Sequence, residues 1–291
     1  MLPLRVLLTG AAGQVGHAVL ASVPPQVELT ALTRAQLDIS DEAAVDRAIG
    51  DYQPSLIINA AAYTAVDKAE SEPAIALAIN ADGPRNLARA AEAIPDCRLV
   101  QLSTNYVFDG TAADAYRPTD ATHPLSVYGR SKLEGERAVL GVLAERAVIL
   151  RTAWVYAATG RNFLLTMLRL MKESAEVRVV NDQFGSPTSA ASIAAAIWAI
   201  ALLPKVRGVL HWTDCGRTTW YDFAIGIAAE ARAAGILTTP VKVTPITTAE
   251  YPTAARRPAN SVLDTRETVA QLGLSPPGWQ SALRATVSSM K

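Results

Sequence analysis

Tyr128 and Lys132 stand four residues apart in Ser126–Leu143, a stretch that reads as a helix. That spacing puts both side chains on one helix face. A free phenol has a pKa of about 10, so it is a poor acid or base at neutral pH until a cation stabilises its phenolate. Lys132 can supply that cation and can also donate hydrogen bonds to a nicotinamide ribose. The pair suits reduction of a ketone, which needs hydride at carbon and a proton at oxygen. Thr104 follows the expected strand Arg98–Ser103 and can donate to the same carbonyl oxygen, polarising it. A Y-x-x-x-K pair alone is weak evidence; its setting decides its value.

The setting begins at Gly10-Ala11-Ala12-Gly13-Gln14-Val15-Gly16, between an apolar run and a helical one. Glycines there let the backbone turn tightly and approach a pyrophosphate, while the next helix aims free N–H groups at the anion. The spacing is G-x-x-G-x-x-G, and strand before with helix after favours a dinucleotide. Sites selective for NAD place an acidic residue after the second strand. Here Arg34 stands in that region, where it can pair with a 2′-phosphate or simply be solvated, and Asp38 follows near the adenine. Both NADPH and NADH therefore stay open.

Positioning these groups requires a particular framework. Leu4–Thr9, Val27–Thr33, Leu56–Ala62, Arg98–Ser103 and Val148–Trp154 read as buried strands. Between them lie the helices Gln14–Ser22, Asp41–Ile49 (capped at Ser40), Pro73–Ile94 and Ser126–Leu143. Strands apolar on both faces and alternating with helices imply a doubly wound, parallel Rossmann-type α/β sheet. Residues 1–155 are expected to form the dinucleotide-binding domain. Residues 156–291 are expected to form mainly a smaller substrate-binding lobe, partly discontinuous, with segments returning to the first domain. Its helices are Asn162–Met171, Ser189–Leu203, Thr219–Ala233 and Gly278–Met290.

The 291 residues carry 27 basic and 27 acidic side chains, so no basic excess points to nucleic acid. Cys97 and Cys215 lack metal-type spacing and suggest a reducing compartment. The first apolar run is too short to span a membrane and does not resemble a signal peptide, which points to the cytoplasm and no membrane partner. His17, His123 and His211 form no H-x-x-x-H pattern. Asp67, Lys68 and Glu70 read as a charged surface turn. Arg256 and Arg257 read either as a diphosphate clamp or as a solvated loop pair, and Trp154 as a substrate wall or as core.

The glycine turn, Tyr128, Lys132 and Thr104 together resemble the extended short-chain dehydrogenases/reductases. Longer strings are more specific. Asn59–Glu70, Ser103–Gly110, Val127-Tyr128-Gly129, Arg151–Tyr156, Asp182–Thr188 and Arg256–Ser261 resemble, in order, the dTDP-4-dehydrorhamnose reductase family. The resemblance implies NADPH- or NADH-dependent reduction of the 4-keto group of a nucleotide-sugar, dTDP-4-dehydro-L-rhamnose. It implies Tyr128 as proton donor with Lys132 as its partner. Gly13, Gln14, Val15, Asp38, Ile39, Ala62, Tyr63 and Thr64 would line the cofactor, and Thr104, Asn105 and Trp154 would face the sugar. Some members are described as magnesium-linked dimers, so Mg2+ and a homodimer enter as expectations, although no carboxylate cluster marks a metal site. The family commonly has aspartate where this chain has Asn105, which retains hydrogen bonding but cannot act as a base. Alternatives are a reductase for another dTDP-deoxysugar, a dehydratase or epimerase holding NAD, and a non-catalytic regulatory subunit of the same fold.

Overall fold

Alternation along the strands sets the layers. In the computed structural model, which describes residues 3–290, Val6 and Leu8 point to one side of β1 (Leu4–Thr9) and Leu7 to the other. The same alternation runs through β2 (Val27–Leu32), β3 (Leu56–Asn59), β4 (Arg98–Thr104) and β5 (Ala147–Thr152). A sixth strand, Gly208–His211, pairs with β5. All neighbours are parallel, in the order sixth strand, β5, β4, β3, β1, β2. Chain order therefore reverses at the β1/β3 junction, where a doubly wound sheet opens its ligand crevice.

One face of the sheet is covered by α1 (Gln14–Leu20) and α8 (Ala190–Leu202), through Val19, Ile193, Ile197 and Ile200. The other is covered by α2 (Glu42–Tyr52), α5 (Gly83–Glu92) and α6 (Val127–Leu143), through Val45, Ile49, Leu87, Val139 and Leu143. Each fully buried side chain of this size contributes about 1.5–3 kcal/mol, so both faces of the sheet are held against their helices by apolar burial. A third apolar cluster joins α7 (Phe163–Glu173), α9 (Trp220–Ala233) and α11 (Trp279–Ser288) around Leu164, Met167, Phe223, Ile227 and Leu283. Beside it, Glu176–Val180 pairs parallel with Lys242–Ile246. The second half of the chain thus supplies both a sheet strand with its covering helix and a separate apolar cluster. No helix among the described residues is long and apolar enough to cross a membrane.

Several expected boundaries move. The cap of α2 is Asp41, whose carboxylate accepts from the Ala44 amide; Ser40 instead donates to Asp38. β3 stops at Asn59, and residues 60–64 leave the sheet. Pro73–Ile94 is not one helix. It divides into α4 (Pro73–Leu77), a π-helical turn at Ala78–Asp82, and α5. Val148–Trp154 also shortens: β5 ends at Thr152, and Trp154 takes a left-handed conformation at φ 46°.

Candidate active site

The glycine turn closes on the β1/β3 junction. Gly10 has φ 72°, and a Cβ there would lie 2.4 Å from the Ala61 nitrogen. A Cβ on Gly16 would lie 2.3 Å from the Gly10 carbonyl oxygen. Both positions exclude a side chain, so the turn presents bare backbone. Gly13 donates to the Gly10 carbonyl at 2.9 Å, and no side chain caps α1 behind it. That cradle fits a pyrophosphate. Gln14 reaches across to the start of α7, accepting from Asn162 at 2.7 Å and donating to the Arg161 carbonyl at 3.3 Å. Val15 packs partly into the sheet core.

Arg34 lies exposed after β2 and pairs with Asp38 at 3.6 Å. The Ser40 hydroxyl and amide, and then Arg34, hold Asp38 below the usual carboxylate range. Ile39 points into the core at 3% exposure, and its carbonyl accepts from Asn86, so its expected lining role is left to its backbone. Ala62, Tyr63 and Thr64 continue from β3 beside the turn. Asn80, in the π-helical turn, clamps the Tyr63 peptide from both sides: it accepts from the Tyr63 amide at 2.9 Å and donates to its carbonyl at 3.0 Å. The Tyr63 hydroxyl donates to Glu72.

Tyr128 sits in the first turn of α6. Ser126 caps that helix, and Glu70 accepts from the Val127 amide at 2.7 Å. Burial pushes the Tyr128 phenol up to about 12; a hydrogen bond with Thr104 works against the rise, and Tyr106 adds to it. The phenol is therefore stocked with its proton at neutral pH, as a proton donor must be. Lys132 is 4% exposed and donates to the Leu102 carbonyl at 2.7 Å. Burial lowers its ammonium to about 8, while Glu136 favours the charged form.

Glu136 extends the same helix face by one more turn. It is 2% exposed and accepts from Arg151 Nε at 2.9 Å, from Arg151 Nη2 at 2.6 Å, and from the Ser103 hydroxyl. The sequence signal for Glu136 was there, because Y-x-x-x-K continues as x-x-x-E. A second buried chain crosses the strand ends. Thr9 donates to Asn59 at 2.6 Å, Asn59 to Gln101 at 2.7 Å, and Gln101 to the Leu102 carbonyl at 2.8 Å. Leu102 is thus bonded by both Gln101 and Lys132. Asn59 and Arg151 open two of the strings that carry the family resemblance but were given no role there; Asn80 and Gln101 carry no local motif, so single-sequence reading passed them over.

Thr104 and Asn105 are both buried at the end of β4. The Thr104 hydroxyl donates to Asn105 Oδ1 at 3.2 Å and accepts from the Tyr106 amide at 3.2 Å; Asn105 Nδ2 donates to the Ser261 carbonyl at 3.5 Å. Trp154 is half-buried and stacks on Trp220, centroids 3.5 Å apart with planes at 8°. Phe163 tilts against Trp220, centroids 4.6 Å apart. Trp220, 66 positions downstream, had no sequence signal. Arg257 is engaged by Asp67, and Arg256 is exposed. Tyr128 and Thr104 thus meet at the end of β4, and Lys132 bonds the same strand two residues earlier. Arg257 and Trp154 approach from loops.

Among the described residues no group of three or more His, Cys, Asp or Glu side chains is placed to hold a metal ion. Two open surface grooves share no residue with the crevice. One is lined by Arg117, Asp120, Asp264 and Arg266 and the other by Asp109, His123, Arg130 and Glu134.

Comparison with known proteins gives one family. Residues 4–291 match the profile described as RmlD substrate binding domain. The chain is 43% identical to dTDP-4-dehydrorhamnose reductase of Aggregatibacter actinomycetemcomitans, over 96% of this chain and 97% of that protein. It is 44% identical to the Streptomyces griseus protein of the same name, over 96% and 91%. Among solved structures, dTDP-4-dehydrorhamnose reductase from Bacillus anthracis in complex with NADP superimposes with a TM-score of 0.91 at 35% identity, covering 98% of both chains.

The Glu136–Arg151 pair generates a stability prediction. Glu136→Gln leaves a buried guanidinium without its carboxylate, and the expected loss is about 3–5 kcal/mol in denaturant unfolding. A loss within the range of an exposed pair, about 0–1 kcal/mol, would show the pair to be solvated.

Proposed function

This chain belongs to the dTDP-4-dehydrorhamnose reductase family, and from that premise we propose how its residues carry the reaction. The protein reduces the 4-keto group of dTDP-4-dehydro-L-rhamnose to give dTDP-L-rhamnose, at the expense of a nicotinamide cofactor. The observation that supports the reading is the contact of Tyr128 with Thr104 at the end of β4, with Lys132 one helical turn on and bonded to Leu102 of the same strand, in the sheet whose first strand opens the glycine cradle.

The reduced nicotinamide, when bound, supplies the hydride. The chain's residues do the rest. Gly10, Gly13 and Gly16 receive the pyrophosphate against backbone, with Gln14 and Val15 opening the helix behind it. Asp38, the Ile39 backbone and residues 62–64 border the rest of the cofactor, and the Asn80 clamp fixes the peptide at Tyr63. With substrate in place the Thr104 hydroxyl turns its one proton from Asn105 Oδ1 to the substrate carbonyl oxygen and orients it. Tyr128 delivers the proton to that oxygen. The Lys132 ammonium stabilises the phenolate that remains and thereby lowers the cost of proton transfer. Asn105 and Trp154 orient the sugar, Asn105 through its amide. The proton donor must stay protonated until the hydride arrives, and the burial of Tyr128 secures this.

NADPH is the cofactor we favour, with NADH accepted. Arg34 and Asp38 are 74% and 41% exposed, and an exposed pair at 3.6 Å is worth about 0–1 kcal/mol. Arg34 can therefore turn to a 2′-phosphate at little cost. Asp38, bonded to Ser40 independently of Arg34, keeps its position when it does. A soluble nucleotide-sugar as substrate fits a cytoplasmic enzyme, and a homodimer is compatible with the fold.

Four outcomes test this reading. Mixing the protein with dTDP-4-dehydro-L-rhamnose and following NADPH absorbance should show prompt oxidation with dTDP-L-rhamnose as product; no oxidation with either nucleotide would sink the assignment. Tyr128→Phe should lower kcat by about two to four orders of magnitude while NADPH binding stays near normal, because only proton transfer is lost. The alkaline limb of kcat/KM should centre near pH 8, where Lys132 loses its proton. Arg34→Ala should raise the KM for NADPH and leave that for NADH unchanged; equal effects on both would remove the 2′-phosphate role.

A further inference from the structure

Three contacts converge on one carboxylate in the short helix α3 (Val66–Ala69). Asp67 Oδ1 accepts from the Ala255 amide and from Arg257 Nη1, both at 3.1 Å. Asp67 Oδ2 accepts from Arg257 Nη2 at 2.8 Å. The same guanidinium donates to the Ala255 carbonyl at 3.1 Å and to the Thr253 hydroxyl. These bonds join segments 190 positions apart in the chain. Fork-to-fork pairing of this kind fixes geometry as well as supplying energy. The contrast with Arg34 decides the role. Arg34 has one exposed contact at 3.6 Å, whereas freeing Arg257 breaks four hydrogen bonds and takes from Asp67 its ion-pair partner.

The pair also borders the proton donor. Arg257 neighbours the Tyr106 phenol, which burial raises and the guanidinium charge draws back. Tyr106 in turn meets Tyr128 edge-on, centroids 5.6 Å apart with planes at 76°. Close by, Glu70 of the same segment holds the first amide of α6. Asp67 therefore holds the 253–257 loop, and Glu70 the start of the helix that carries Tyr128.

We propose that Asp67 and Arg257 are positioning residues, a fastener that holds the 253–257 loop on α3 and seats Tyr106 against Tyr128, and that Arg257 is not a ligand of the substrate's diphosphate. The kinetic consequence rests on the reductase reading; the fastening itself does not.

The test compares Asp67→Ala, Arg257→Ala and the double variant in the full-length protein, with two readouts. The first is hydrogen exchange without substrate. Both single variants should speed exchange at residues 253–257, Asp67→Ala most directly, since it removes the acceptor of the Ala255 amide. Unchanged exchange there in Asp67→Ala would overturn the fastener whatever the activity. The second is kinetics. Each single variant should lower kcat about tenfold with the KM for NADPH unchanged, the double should be no worse than either single, and Arg257→Lys should recover part of the loss. Multiplied effects in the double variant would contradict the proposal. So would dTDP binding, measured by calorimetry, that weakens in Arg257→Ala but not in Asp67→Ala, because Arg257 would then be the ligand. If the wild type reduces no keto-sugar, the proposed activity fails, and the exchange readout still decides the fastener.

Discussion

The active end of this sheet is organised around one buried ion pair, Glu136 with Arg151. Taking two charges out of water costs several kcal/mol per ion, and the attraction offsets that only with good geometry and satisfied neighbours. Here the geometry is two-pronged, at 2.9 and 2.6 Å, and Ser103 supplies a further donor to the carboxylate. Arg151 also lies over the Phe108 ring, 5.2 Å from its centroid. His211, fully buried nearby, is held neutral with a pKa lowered to about 3, by burial first and the Arg151 charge second. A pair so placed has few alternative arrangements. It fixes α6 against β4 and β5, so Tyr128 and Lys132, eight and four residues earlier on that helix, inherit their positions from it. Thr104 follows Ser103 directly, and Trp154 lies three residues beyond Arg151.

A neutral ladder complements the charged pair. Thr9, Asn59 and Gln101 carry hydrogen bonds from β1 through β3 to β4, ending on the carbonyl that Lys132 also uses. Each member is nearly or fully buried, so an orphaned amide would cost about 1–3 kcal/mol. The ladder couples the strand that opens the glycine turn to the strand that carries Thr104. The ion pair sets the height of the catalytic helix above the sheet, and the ladder sets the strand ends relative to one another. A reducing site needs both, because hydride and proton must arrive at adjacent atoms.

What the sequence made legible was local. The strand cores of β1, β3 and β4, the glycine turn and the Tyr–Lys face depend on periodicity and spacing within a few residues. What escaped depends on distant partners. Pro73–Ile94 is alanine-rich and reads as unbroken helix, yet Asn80 opens a π-helical turn within it to reach Tyr63 and Ser131. Ser40 and Asp41 are both good capping types; only their orientation toward α2 separates them. Trp154 reads as the end of a strand until its ring is seen stacked on Trp220. Glu136 sits one turn past Lys132 and was within reach of the motif, but Arg151 belongs to another strand and no spacing announces it.

The same reasoning bears on Asn105, where the family commonly has aspartate. The side chain is 1% exposed. Its Nδ2 faces the Ser261 carbonyl at 3.5 Å and its Oδ1 accepts from Thr104 at 3.2 Å. A carboxylate in that place would set a second oxygen against the carbonyl, with burial and repulsion both disfavouring its charge. It would have to protonate to keep the contact, or the 261 loop would have to shift. The amide satisfies both neighbours as it stands and needs no proton for either. It also gives the Thr104 hydroxyl, which accepts from the Tyr106 amide and neighbours the Tyr128 phenol, a neutral acceptor for its one proton until a substrate carbonyl takes it. In this chain, then, position 105 belongs to the hydrogen-bonded frame that aims Thr104. In the proposed reaction the acid–base work falls to Tyr128 and Lys132.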